Sequence, residues 1–126
     1  MKIVSWNCRG LGSHFKEKAM KYLIHMKKPD ILLIQETKLE EGSFLRRSKS
    51  FWNKGQGITN SSKGSSGGVG TLWNETLYEL VQQRIITHRI LMPLNHKALG
   101  ALVSMFNIYA HVMISERKKT MLVFSC

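Results

Sequence analysis

The chain has 126 residues, 43% of them apolar, enough for one domain with a core and too apolar for a disordered tail. Lysine and arginine total 19 against 8 acids, a net charge of +11 that points to a polyanionic partner, nucleic acid being the commonest. The longest strongly apolar run, Ile31 to Ile34, is too short for a membrane span, and the opening residues lack a signal-peptide core, so a soluble intracellular chain is expected.

Lys2 to Asn7 reads as a strand, with Ile3 and Val4 β-branched and "CRGLGS" closing it as a loop. Cys8 in that loop and Cys126 form no repeated pair, which argues against a disulfide framework or a zinc knuckle. From Ser13 to Lys27 the period becomes helical, with Ser13 as cap. Phe15, Ala19, Leu23 and Met26 fall on one face with Tyr22 beside them, and this face is expected to meet the core. Pro29 and Asp30 stop the helix and launch a second strand, Ile31 to Gln35.

The strand Ile31–Gln35 is apolar on both faces, as in a sheet covered on both sides, so the first third of the chain predicts a β-α-β unit of an α/β fold. Asn7 and Glu36 each stand just past a strand, at the carboxyl edge where such sheets build ligand sites.

Lys38 to Gly68 is polar and rich in Ser, Lys and Gly, with Phe51 and Trp52 inside it and "NSSKGSSGG" as a flexible turn rather than a domain linker. Gly68 to Trp73 predicts a strand, with Trp6 and Trp73 as core residues and Gly67, Gly68 and Gly70 permitting close backbone packing. Further strands are expected over Leu77–Ile86 and Leu99–Tyr109, with "MPLNHK" connecting them, and a helix is expected to start over Ser115–Leu122. The five histidines, His14, His25, His88, His96 and His111, share no metal-ligand spacing.

Four stretches in order, "IVSWNCRGLG", "PDILLIQETKL", "SSGGVGTLW" and "FNIYAH", resemble the endonuclease/exonuclease/phosphatase family. Within it they look most like the apurinic-type endonuclease domain of plant LINE-type (non-LTR) retrotransposons. The resemblance implies a DNase I-like α/β sandwich of two sheets and metal-dependent cleavage of phosphate esters. It implies magnesium as cofactor, with manganese as the alternative. It also implies catalytic roles for Asn7, Glu36 and Tyr109. Glu36, with Asn7, would hold the metal, and Tyr109 would contact the scissile phosphate. Arg9 and Lys38 are candidate phosphate contacts.

That chemistry suits those residue types. Magnesium takes hard oxygen ligands and keeps several waters, so one or two carboxylates with substrate phosphate suffice. A tyrosine hydroxyl can donate to an oxygen whose charge grows in the transition state. Each residue could instead fill a plainer role: Glu36 an exposed turn residue, Asn7 a turn cap, Tyr109 a core side chain.

The chain departs from the family pattern in two ways. His111 stands where relatives commonly carry proline. No "GDFN"-like or "SDH"-like segment is present, and the one aspartate is Asp30. Residues 1–126 are therefore expected to be the N-terminal half of an incomplete sandwich, truncated before its C-terminal half, and if one sheet lacks its packing partner much of the apolar burial is forgone. Such a piece is expected to fold poorly, aggregate and be inactive alone. The leading reading is a piece of a magnesium-dependent endonuclease acting on DNA, nuclear where functional, with neither a membrane nor an obligate protein partner. The alternatives are a non-catalytic basic nucleic-acid-binding remnant, or a phosphoesterase acting on lipid or inositol phosphates.

Overall fold

The computed structural model describes residues 2–60, 68–82, 84–86, 89–108, 112–114 and 120–125. Among these, β1 (Lys2–Asn7), α1 (His14–Lys27), β2 (Ile31–Gln35), α2 (Glu41–Phe51), β3 (Gly55–Asn60) and β4 (Val69–Asn74) come first. Then follow β5 (Tyr78–Leu80), β6 (Arg84–Ile86), β7 (Arg89–His96), β8 (Leu102–Ile108), β9 (Val112–Ile114) and β10 (Thr120–Ser125). The first sheet runs β10-β1-β2-β4-β3, parallel at β1 and antiparallel from β2 to β4. The second is antiparallel, β5-β7-β8-β9, with β6 also pairing β7.

The two sheets pack face to face. Ile3, Ile31, Leu33, Val69 and Trp73 of the first interlock with Ile90, Met92, Leu94, Val103 and Met105 of the second, all buried. The condition under which burial would be forgone is not met on this face, because β5 to β9 supply the first sheet with a packing partner. On its other face the first sheet lays Val4, Trp6, Leu32, Ile34 and Leu72 against Met20 of α1 and Phe44 and Phe51 of α2. Apolar cover on both faces explains why all five residues of β2 are buried.

Helix α1 begins where expected: Ser13 Oγ accepts from the Lys16 N–H at 3.2 Å. It ends in a left-handed Lys28 before Pro29. The buried face agrees with expectation in part: Ala19 and Leu23 pack against the core, joined by Met20 and Ile24. Met20 is fully buried, whereas Phe15, Tyr22 and Met26 are 77%, 67% and 56% exposed. Lys16 Nζ donates to the Cys8 carbonyl at 2.6 Å, which holds the helix rolled with the Phe15 stripe outward.

Other differences lie in the polar middle and the second sheet. The Lys38–Gly68 stretch holds α2 and β3, and residues 61–67 fall outside the described ones. Helix α2 buries Phe44, Ser48 and Phe51, a spacing of four and three residues. The expected strand over Leu77–Ile86 is split into β5 and β6, and the break lies opposite Pro93, which has no N–H to pair. "MPLNHK" belongs to β7. Thr120–Leu122, expected to be helical, is in β10 beside β1, and residues 115–119 are not described. No described helix is long and apolar enough to cross a membrane.

Gly70 lets β4 and α2 touch. A Cβ there would lie 2.3 to 2.8 Å from three ring carbons of Phe44. We expect Gly70→Ala to lower unfolding free energy by about 1–3 kcal/mol, read from urea melts, as overpacking does.

Candidate active site at the carboxyl edge of the first sheet

Because β1 and β2 are parallel neighbours, their carboxyl ends finish together, with Asn7 opposite Gln35. Glu36 follows directly. Past the strands the two chains stay joined: Cys8 N–H donates to Gln35 O at 3.1 Å, Gly10 to Glu36 O at 2.6 Å and Leu11 to Thr37 O at 2.9 Å. The approach to β4 joins them, since the Thr37 N–H donates to Gly68 O at 3.0 Å.

The same edge gathers unusual backbone. Arg9, Glu36 and Lys38 have φ of 51°, 54° and 55°, and Gly10 and Gly68 have 101° and 89°. A left-handed conformation costs a side-chain-bearing residue about 1–2 kcal/mol. Strain of this kind persists only where surroundings enforce it, and it gathers at functional sites.

Asn7 and Glu36 are half-buried, while Arg9 and Lys38 are exposed. Asn7 Oδ1 accepts from the Arg9 N–H at 3.3 Å, so the turn-capping role of asparagine is realised as well. Lys38 Cδ would lie 3.5 Å from a Cβ at Gly10, which sets its stem over the first loop. The structure thus brings Asn7, Arg9, Glu36 and Lys38 to one edge. Tyr109 lies outside the described residues; β8 is described to Ile108.

Several residues here escaped the reading of the sequence. Cys8 is buried, with its thiol 3.5 Å from the carbonyl oxygens of both Gln35 and Glu36. Thr37 is fully buried and holds the approach to β4. Beneath the edge, Ser5, Gln35, Thr71 and Asn107 are buried polar side chains at inward positions of otherwise apolar strands. Alternation marks that position in the sequence, but not the partner each side chain meets.

For a metal, the donors at this edge are the Glu36 carboxylate and the Asn7 amide oxygen. Among the described residues no three His, Cys, Asp or Glu cluster as an all-protein cage would need. Asp30 is at the other end of β2, where its carboxylate accepts from the Lys2 N–H at 2.8 Å. Few hard oxygens fit a hard divalent ion that retains water and shares substrate oxygens. Two clefts of about 360 and 300 Å³ lie elsewhere, lined by residues such as Trp73 and Tyr78, and Trp6 and Tyr22. Neither includes Asn7 or Glu36.

A two-sheet α/β sandwich of this kind has the DNase I-like architecture. Residues 4–113 match the family model described as the Endonuclease/Exonuclease/phosphatase family, and the chain belongs to that family. Its members are hydrolases, nucleases and phosphatases among them, and generally use divalent metal ions.

Similar solved structures include the AP endonuclease LMAP from Leishmania major, 17% identical at TM-score 0.65, covering 86% of this chain and 40% of that one. D. rerio TDP2, complexed with single-strand DNA product, is 16% identical at TM-score 0.63, covering 82% and 43%. The mannosyl-6-phosphatase Bt3783 of Bacteroides thetaiotaomicron is 12% identical at TM-score 0.61, covering 82% and 49%. The chain spans less than half the length of each. Comparison with curated proteins returned no match.

Proposed function

We propose that residues 1–126 form the N-terminal half of a magnesium-dependent endonuclease domain that hydrolyses DNA phosphodiester bonds and derives from a LINE-type retrotransposon. The observation that carries this reading is the pairing of Asn7 with Gln35, which sets Asn7 and Glu36 side by side on a strained edge of the family's fold. The net charge of +11 favours nucleic acid over a small phosphomonoester. A DNA substrate carries with it the nucleus as place of action.

In this reading Glu36 and Asn7 hold the ion, and Arg9 and Lys38 offer cations to the phosphate backbone. Tyr109 donates to the scissile phosphate. When bound, the metal supplies Lewis-acid polarisation of the phosphoryl oxygens. Asn7 adds no charge that would compete with Glu36, so the carboxylate keeps its role.

The "GDFN"-like and "SDH"-like segments would contribute the general base and further ligands, and this sequence contains neither. A positioned acid or base is worth about a hundred- to ten-thousand-fold in rate. We therefore expect the chain alone to bind DNA and not cleave it, which is also the behaviour of a non-catalytic remnant.

The test is Mn²⁺ binding followed by electron paramagnetic resonance, with plasmid nicking alongside. Wild type should bind Mn²⁺ without nicking supercoiled plasmid, and Glu36→Gln should abolish the binding. Equal Mn²⁺ affinity in the two proteins would remove Glu36 from the site.

A further inference from the structure

The inner faces of the two sheets are apolar except at one end. There Gln35 Nε2 donates to Asn107 Oδ1 at 3.0 Å and to Ser5 Oγ at 3.1 Å. Asn107 Nδ2 in turn donates to Gly70 O at 2.8 Å and Thr71 Oγ1 at 2.9 Å. All four side chains are buried, between 0% and 4% exposed. They link β1, β2 and β4 of the first sheet to β8 of the second.

Polar groups so deeply buried cost free energy unless paired, and paired amides tolerate little displacement. Apolar packing also resists displacement, but it carries no directional bond that singles out one atom pair. Among the described residues, the side-chain hydrogen bonds that join the two sheets at this end are those of Asn107. Their place is informative. Gln35 immediately precedes Glu36, Ser5 is two residues before Asn7, and Asn107 is two residues before Tyr109 in the sequence. The contact lies directly under the strand ends that carry the site.

We infer that Gln35 and Asn107 are positioning residues: their cross-sheet amide contact sets the register at which the Asn7–Glu36 edge meets the β8 end. The inference rests on the site proposed above. Groups behind metal ligands of this kind change metal affinity about 10- to 100-fold when lost. Replacing both amides by apolar side chains of similar size leaves neither amide orphaned but takes one partner from Ser5 Oγ, Gly70 O and Thr71 Oγ1, so the amides of α1 and β7 serve as the control for gross destabilisation.

The experiment compares the full chain with the double variant Gln35→Met/Asn107→Leu and with Glu36→Gln. Residue-resolved amide exchange and Mn²⁺ affinity are both measured. In the double variant, protection of the Gly10, Leu11 and Thr37 amides should fall about tenfold or more while amides of α1 and β7 keep theirs. Mn²⁺ affinity should fall about tenfold. Glu36→Gln should lose Mn²⁺ and keep the protection.

Unchanged protection at Gly10, Leu11 and Thr37, or an equal loss throughout, overturns the inference. If wild type binds no Mn²⁺, the proposed metal site falls, and the exchange pattern still decides the role of the amides. Should the double variant not fold, Ser5→Ala removes one acceptor of the Gln35 amide and should give the same local pattern in smaller degree.

Discussion

Raising monovalent salt from about 50 to about 200 mM should weaken binding of this chain to duplex DNA about a thousandfold, if about six phosphates are neutralised. The charge needed is present, with 19 basic residues against 8 acids. Several of those cations are exposed: Arg9 and Lys38 at the strained edge, and Lys18, Lys21 and Lys28 on and after α1. Acids do little to mask them. Glu17 is engaged by Arg47 at 3.2 Å, and Asp30 accepts from the Lys2 backbone. Each neutralised phosphate releases condensed counterions, so the logarithm of affinity falls linearly with the logarithm of salt. Fluorescence anisotropy of a labelled duplex at four salt concentrations gives the slope. A slope near zero would assign the lysines to solubility and remove nucleic acid as partner.

How far the sequence foretold this structure depends on what kind of signal each element carries. β1, α1 and β2 came out within a residue of their bounds because period and punctuation agree: Ser13 starts the helix, and Pro29 ends it. The period of α1 could not tell which stripe turns inward. Of the face expected inward, Ala19 and Leu23 do pack against the core, together with Met20 and Ile24, while Phe15, Tyr22 and Met26 form a second apolar stripe that stays outside. The Lys16 bond to Cys8 O, a tertiary contact, favours that arrangement. α2 was missed because only Phe44, Leu45 and Phe51 are large apolar residues among its eleven.

The site divides the same way. The placing of Asn7 and Glu36 at neighbouring strand ends was legible because each follows an apolar run, and parallel pairing of β1 with β2 brings those ends together. The left-handed φ of Glu36 and Lys38 has no signature in residues that ordinarily avoid it. The Gln35–Asn107 contact joins positions 72 apart in sequence, which alternation alone cannot pair.

Phe44→Ala should cost about 3–5 kcal/mol, a large part of the roughly 5–15 kcal/mol that holds a domain folded. The ring is fully buried within the cluster of Trp6, Leu32, Ile34 and Leu72, directly over Gly70. Glycine offers no side chain to fill the space, so the cavity should persist. Phe15→Ala is the control: the same deletion on a helix residue 77% exposed should change stability by only about 0.5 kcal/mol. Urea melts of both variants test the assignment of the inward face, and similar losses would show the α1 roll to be wrong. The two halves of the Phe44–Gly70 contact should also be coupled. Adding Gly70→Ala to Phe44→Ala should cost less than Gly70→Ala alone, because the ring it would strike is gone. Since Gly70 O accepts from Asn107 at 2.8 Å, Gly70→Ala, whose Cβ pushes β4 off the Phe44 ring, should disturb the amide contact too and weaken Mn²⁺ binding, and Phe44→Ala should relieve that loss.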